Sequence, residues 1–161
     1  MASSYKIGSF NIQKLGRNSM LRKDLKQIAN LIKDNRLDII AIQEISSKEA
    51  LKELLICIDG TVLKEGVSAV SNARDAYAYE TRNWECRWAK PISPVGGKSA
   101  EEGYAYIWKK SRIELPINRR GEKSEPDIYM NGGKLVRPPF YGRFIVSGCN
   151  AEIRLINTHI V

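Results

Sequence analysis

Residues 38–44, DIIAIQE, form an unbroken apolar run between an aspartate and a closing Gln-Glu pair. A run of this length suits a strand covered on both faces, since a strand with one wet face would alternate. A similar stretch, YKIGSFN, lies upstream at 5–11. Between the two, Leu21, Leu25, Ile28, Leu31 and Ile32 recur at helical spacing, with charges on the opposite face and Ser19 as the expected N-cap. Strand, helix and strand predict a βαβ unit inside a layered α/β domain. Ser46 or Ser47 is expected to cap a second helix, with Ala50, Leu51, Leu54, Leu55 and Ile58 as its apolar stripe.

After about residue 75 the pattern turns extended. NWECRWAKPI and EGYAYIWKKSRIEL read as neighbouring strands joined by a loop with Pro94, Gly96 and Gly97. Residues 115–136 are polar and carry Pro116, Pro126, Gly132 and Gly133, which predicts a long surface loop. YGRFIVSG and AEIRLINTHIV flank a Gly148–Asn150 turn and predict a hairpin.

A chain of 161 residues, 43% of them hydrophobic, can build one compact domain over 1–161. No apolar run approaches a membrane span and no signal-peptide pattern opens the chain, which suits a cytoplasmic protein; a mature secreted chain would look the same. Cys57, Cys86 and Cys149 are odd in number and widely spaced, so buried free thiols are expected rather than a disulfide framework or a thiolate zinc site. The net charge of +8 is uneven: 12 basic against 10 acidic residues in 1–80, and 14 against 8 in 81–161. Such an excess suits a phosphate-bearing partner, nucleic acid first.

Three of the expected strands end in a polar residue: Asn11 in GSFNIQ, Glu44 in AIQEI and His159, the sole histidine, in INTHIV. Singly each has an ordinary role. Asn11 could close a turn, Glu44 could cap the next helix, and a lone histidine commonly satisfies local hydrogen bonds. Together, SFNIQKLG, DIIAIQEI and LINTHIV resemble the endonuclease/exonuclease/phosphatase superfamily, in its deoxyribonuclease I-like branch. EEGYAYIWKKSRIE resembles that branch's Glu-x-Tyr strand, and RPPFYGRF its Arg-x-Pro segment.

The resemblance implies the first half of a four-layer α/β sandwich, here one mixed sheet with helices on one face. It implies a Mg²⁺-dependent phosphodiester hydrolase, a DNA endonuclease first of all, with Mn²⁺ or Ca²⁺ as other candidate cations. Glu44 would be the metal-binding carboxylate, and Asn11 would orient metal or phosphate through its amide. His159 would act as general acid or base, held by Glu102, with Glu101 as the neighbouring candidate. Arg137 would contact a substrate phosphate, and it reads equally as a solvated loop arginine. Tyr104, Tyr106 and Trp108 read as strand packing. The superfamily continues into a second half bearing Gly-Asp-x-Asn and Ser-Asp-His, and neither Gly-Asp nor Ser-Asp-His occurs in this sequence. The expectation is therefore an N-terminal half, inactive alone. Its bare sheet face would be covered by a second half, a partner chain or self-association. The alternatives are a non-catalytic module of the same fold, or a phosphatase or phospholipase-type member acting on a sugar phosphate or phospholipid.

Overall fold

The two apolar runs pair with each other. In a computed structural model, which describes residues 4–92, 102–129, 137–149 and 151–159, β1 (Ile7–Leu15) and β2 (Ile39–Ile45) lie parallel, with Ile7 opposite Ile39 and Asn11 opposite Gln43. Every residue of β2 is buried. Between them run a single turn, α1 (Arg17–Met20), and α2 (Leu25–Asp34). Asp24, not Ser19, caps α2, accepting from the Gln27 backbone N–H at 2.9 Å. A carboxylate at that position draws the helix start forward, and Ser19 is left within α1, where its hydroxyl donates to the Lys14 carbonyl at 2.6 Å. Ser47 caps α3 (Lys48–Asp59), whose buried residues are Ala50, Leu51, Leu54, Leu55 and Ile58, the stripe read from the sequence.

Four more strands complete the first sheet: β3 (Lys64–Val67), β4 (Ala73–Glu80), β5 (Trp84–Pro91) and β6 (Gly103–Lys109). Its order is β1-β2-β6-β5-β4-β3, mixed, with only β1 and β2 parallel. The expected β5–β6 neighbours are antiparallel partners, and the loop between them lies outside the described residues apart from Ile92 and Glu102. The first two strands of the β half were not foreseen, because exposed β3 has no apolar run and β4 mixes charge with aromatics.

The helices cover one face of this sheet. The opposite face, expected to stand bare, is covered by a second sheet: β9 (Phe140–Val146) between β10 (Ala151–Asn157) and β7 (Ile113–Glu114), with β8 (Asp127–Ile128) also paired to β9. The hairpin reading of 140–157 holds, whereas the long-loop reading of 115–136 does not hold at Leu115 and Ile128, both buried in the layer between the sheets. Residues 130–136 of that loop are outside the described residues. Among the described residues, an outer patch of the second sheet is left exposed, where Tyr129, Pro139, Tyr141 and Ile156 line an apolar hollow of about 260 Å³. Of the cysteines, Cys86 is buried, Cys57 half-buried and Cys149 exposed, all free. Among the described residues, no helix is long and apolar enough to cross a membrane.

Candidate active site

The pairing of β1 and β2 breaks where the polar residues begin. From Asn11 to Leu15 the first strand takes four steps while its partner takes two, from Gln43 to Ile45. The extra residues bulge, and Gln13, Lys14 and Glu44 all adopt left-handed backbone angles (φ 53°, 57° and 62°). Non-glycine residues in that region carry strain that surrounding structure must hold. Hydrogen bonds hold it here: the Lys14 backbone N–H donates to Glu44 Oε2 at 3.0 Å, and the Gln13 N–H to Asn11 Oδ1 at 2.8 Å. The Asn11 amide nitrogen then donates to Glu44 Oε1 at 2.7 Å. With its oxygen taken by Gln13, Asn11 fixes the Glu44 carboxylate, which is 9% exposed.

Three further side chains converge on that carboxylate. His159, two residues beyond β10, places Nε2 3.3 Å from Glu44 Oε1. Its Nδ1 lies 3.2 Å from Glu102 Oε2, on the residue preceding β6, and 2.5 Å from Arg137 Nη1. Arg137 Nη1 in turn pairs with Glu102 Oε2 at 3.1 Å. A single Nδ1 cannot both donate to Glu102 and accept from Arg137. In the Nε2–H tautomer Arg137 donates to both Nδ1 and Glu102 and Nε2–H donates to Glu44, while Nδ1 and Glu102 Oε2 are two acceptors bridged by the guanidinium.

The five residues singled out in the sequence thus meet at one end of the first sheet, although the first and last are 148 positions apart. Glu101, the alternative to Glu102, lies outside the described residues. The sequence reading left unassigned the residues that place His159. Asn157, buried on β10, donates to the carbonyls of Ile42 and Ala105, both at 3.0 Å, and accepts from Gln43 Nε2 at 2.6 Å. It thereby fastens the strand that carries His159 to both β2 and β6. Tyr104, read as packing, accepts from the His159 backbone N–H at 3.3 Å. Burial, only partly offset by that bond, holds its phenol above the ordinary range. The Asn of the INTHIV stretch was the available signal for Asn157, and the Glu-x-Tyr resemblance, which ends on Tyr104, was the signal for the tyrosine.

Ligand atoms of Glu44, Glu102 and His159 all lie within 4.8 Å of one another. Two carboxylates with water suit a hard divalent cation, and an imidazole widens the choice toward transition metals. The residues fit such an ion.

Solved structures share this fold. The chain matches an endonuclease/exonuclease/phosphatase family protein from Bacteroides thetaiotaomicron with TM-score 0.61 and 14% identity, covering 98% of this chain and 49% of that one. It matches mannosyl-6-phosphatase Bt3783 of Bacteroides thetaiotaomicron VPI-5482 with TM-score 0.56 and 14% identity, covering 98% and 52%. It matches TDP2 from Caenorhabditis elegans with TM-score 0.51 and 18% identity, covering 98% and 35%. The chain spans about half the length, or less, of these structures. No protein-family profile and no curated protein matches it. The fold inferred from the three motifs is the fold these structures have.

Proposed function

We propose that this chain carries the first half of a divalent-cation-dependent phosphodiesterase site acting on nucleic acid, DNA first, and that alone it turns over little or not at all. The observation that carries the reading is the convergence of Asn11, Glu44, Glu102, Arg137 and His159 on one strained strand end. Glu44 would hold the cation, Mg²⁺ by its oxygen chemistry, with Glu102 in reach as a second carboxylate. Bound there, the ion would neutralise charge developing on the phosphoryl oxygens. Asn11 positions the metal-binding carboxylate. Arg137 is the group that would turn to a substrate phosphate, where its forked donors pair well. Once Arg137 leaves Nδ1, the imidazole proton can sit on Nδ1 and donate to Glu102. Nε2 is then free to take a proton from the attacking water.

The low expected turnover rests on the missing partners. The sequence has one histidine and no Gly-Asp pair, so only part of a two-half proton-transfer and metal set is present. Losing a member of such a set commonly costs on the order of 10³-fold or more. A second half or a partner chain would complete it. The test is Mg²⁺-dependent plasmid nicking by the purified chain, with Mg²⁺ binding followed through the resonances of the single imidazole. Binding that Glu44→Gln abolishes, with nicking at background, is the expected result. Robust nicking abolished by Glu44→Gln would keep the site and overturn its incompleteness; imidazole resonances indifferent to Mg²⁺ would overturn the metal role. A second reading, a phosphomonoesterase acting on a sugar phosphate, is favoured by the match to a mannosyl-6-phosphatase. Release of phosphate from mannose 6-phosphate without plasmid nicking would select it.

A further inference from the structure

At the far end of the first sheet from Glu44 lies a cavity of about 400 Å³ lined by Lys6, Arg36, Asp38, Lys109, Ser111 and Arg112, with Ser4 at its edge. Lys6 precedes β1, Arg36 and Asp38 precede β2, and Lys109 ends β6, so the cavity collects the strand ends opposite to those that build the acidic–histidine cluster. Six residues of extended chain separate Asp38 from Glu44, about 20 Å at ~3.3 Å per residue. One phosphodiester cannot reach both.

The charge in this cavity is lopsided. Four cations face one carboxylate, a formal excess of three. The cavity beside α3 differs, because there Arg17 and Lys48 are matched by Glu49 and Asp75. The single carboxylate is spent on organising its neighbours. Asp38, 6% exposed, accepts the Lys6 backbone N–H at 3.0 Å and lies 3.7 Å from Lys109 Nζ and 3.5 Å from Arg112 Nε. Arg112 is braced further: its Nη2 donates to the Ser4 carbonyl at 2.7 Å, and its guanidinium stacks 4.1 Å from the Tyr5 ring centroid. Among the described residues, the side chains of Lys6 and Arg36 pair with no acid. Two cations held by Asp38 and two uncommitted ones line a concave, hydroxyl-bearing site of the size that takes a small ligand.

The geometry points to a second binding site, independent of the proposed hydrolase chemistry, for a compact polyanion: a chain of two or three phosphoryl groups. Several cations spread over one hollow favour linked phosphates over a single carboxylate, and the Ser111 hydroxyl adds a neutral donor. The phosphates could be free polyphosphate or the phosphorylated end of a nucleic acid strand.

Isothermal titration of the full chain with tripolyphosphate at low ionic strength tests the site. One equivalent should bind saturably, and the double variant Lys6→Ala/Arg36→Ala, both exposed positions, should bind ~10-fold more weakly. Glu44→Gln should bind like the parent. Unchanged affinity in the double variant, loss of binding in Glu44→Gln, or no saturable binding at millimolar tripolyphosphate would each overturn the site. A 5′-triphosphorylated oligonucleotide that binds more tightly than its unphosphorylated form, with the preference lost in the double variant, would assign the phosphates to a strand end. Equal binding of the two oligonucleotides beside saturable tripolyphosphate binding would assign them to the free polyanion.

Discussion

The six-stranded sheet is covered by helices on one face and by strands on the other, and the two layers are built from different residues. Against α2 and α3 the buried side chains are mainly aliphatic: Leu15, Ile32, Ile42, Leu51, Leu54 and Leu55. Between the sheets aromatics take a larger share, five of thirteen buried residues (Tyr104, Tyr106, Trp108, Phe140 and Phe144) against three of eighteen on the helix side. The aromatic layer also contains polar cross-ties. The Tyr106 hydroxyl lies 2.7 Å from the Phe140 carbonyl and 3.0 Å from that of Leu155, and Asn157 spans to β2 and β6. The helix layer holds the sheet together. The sheet layer does this too, and in addition sets where His159 stands.

The largest effect should come from opening the aromatic layer. Phe144 is fully buried, its ring centroid 5.1 Å from Tyr106 and 5.3 Å from Trp108. Phe144→Ala should cost about 4 kcal/mol in denaturant unfolding. It should also shift the His159 imidazole resonances, which are unambiguous in a chain with one histidine. On the helix face, Leu54→Ala should cost about 3 kcal/mol and leave those resonances in place. If the imidazole signals move as far in Leu54→Ala as in Phe144→Ala, the two layers do not divide the work as described.

Asn157→Leu probes the cross-tie itself. Three polar partners, the carbonyls of Ile42 and Ala105 and the amide of Gln43, would lose their bonds in a buried place. The cost should be about 2 kcal/mol, because an unsatisfied buried group forfeits its solvation. The imidazole shift should be larger per unit of lost stability than in Phe144→Ala. Asn157→Leu as stable as the parent, with unmoved imidazole signals, would reduce the tie to packing.

The two layers also differed in how well they could be read in advance. Helical spacing exposed the α3 stripe, since a 3.6-residue period names the face directly. The start of α2 was misplaced because serine and aspartate are equivalent caps on paper, and only the folded chain shows which one reaches an N–H. The second sheet was harder. Phe140, Phe144 and Val146 alternate as a half-buried strand should, but alternation does not say which layer receives the buried side, and so the covered face was expected to be bare. At the site, Asn11, Glu44 and His159 could be read because each follows an apolar run in the sequence, although β1 continues past Asn11 to Leu15 and β10 ends before His159, while Glu102 and Arg137 came only through the resemblance. The left-handed angles at Gln13, Lys14 and Glu44 left no mark in the sequence, for none of these positions is glycine.

The smallest effect belongs to the anchored C-terminal end of α3. Asp59 closes α3, and its carboxylate accepts from the Thr81 hydroxyl at 2.6 Å, the Asn83 backbone N–H at 2.7 Å and the Asn83 side-chain amide at 2.8 Å. Partial burial opposes the charged form, but these bonds, with Lys110 nearby, outweigh it and hold the carboxyl below its ordinary value. A carboxyl with a depressed folded-state pKa stabilises the fold above its unfolded value of ~3.9, and that contribution is lost as pH falls through the folded value. Asp59→Asn should therefore cost about 1 kcal/mol at neutral pH. The gap from the parent should narrow as acid protonates Asp59, because both proteins then present a neutral group to the same donors. Thermal unfolding across the acid range measures it, and the His159 resonances should stay fixed throughout at neutral pH, since this anchor lies on the helix side of the sheet. A gap that is constant with pH would mean that the bonds to Thr81 and Asn83 serve as a neutral cap, with no share for the charge.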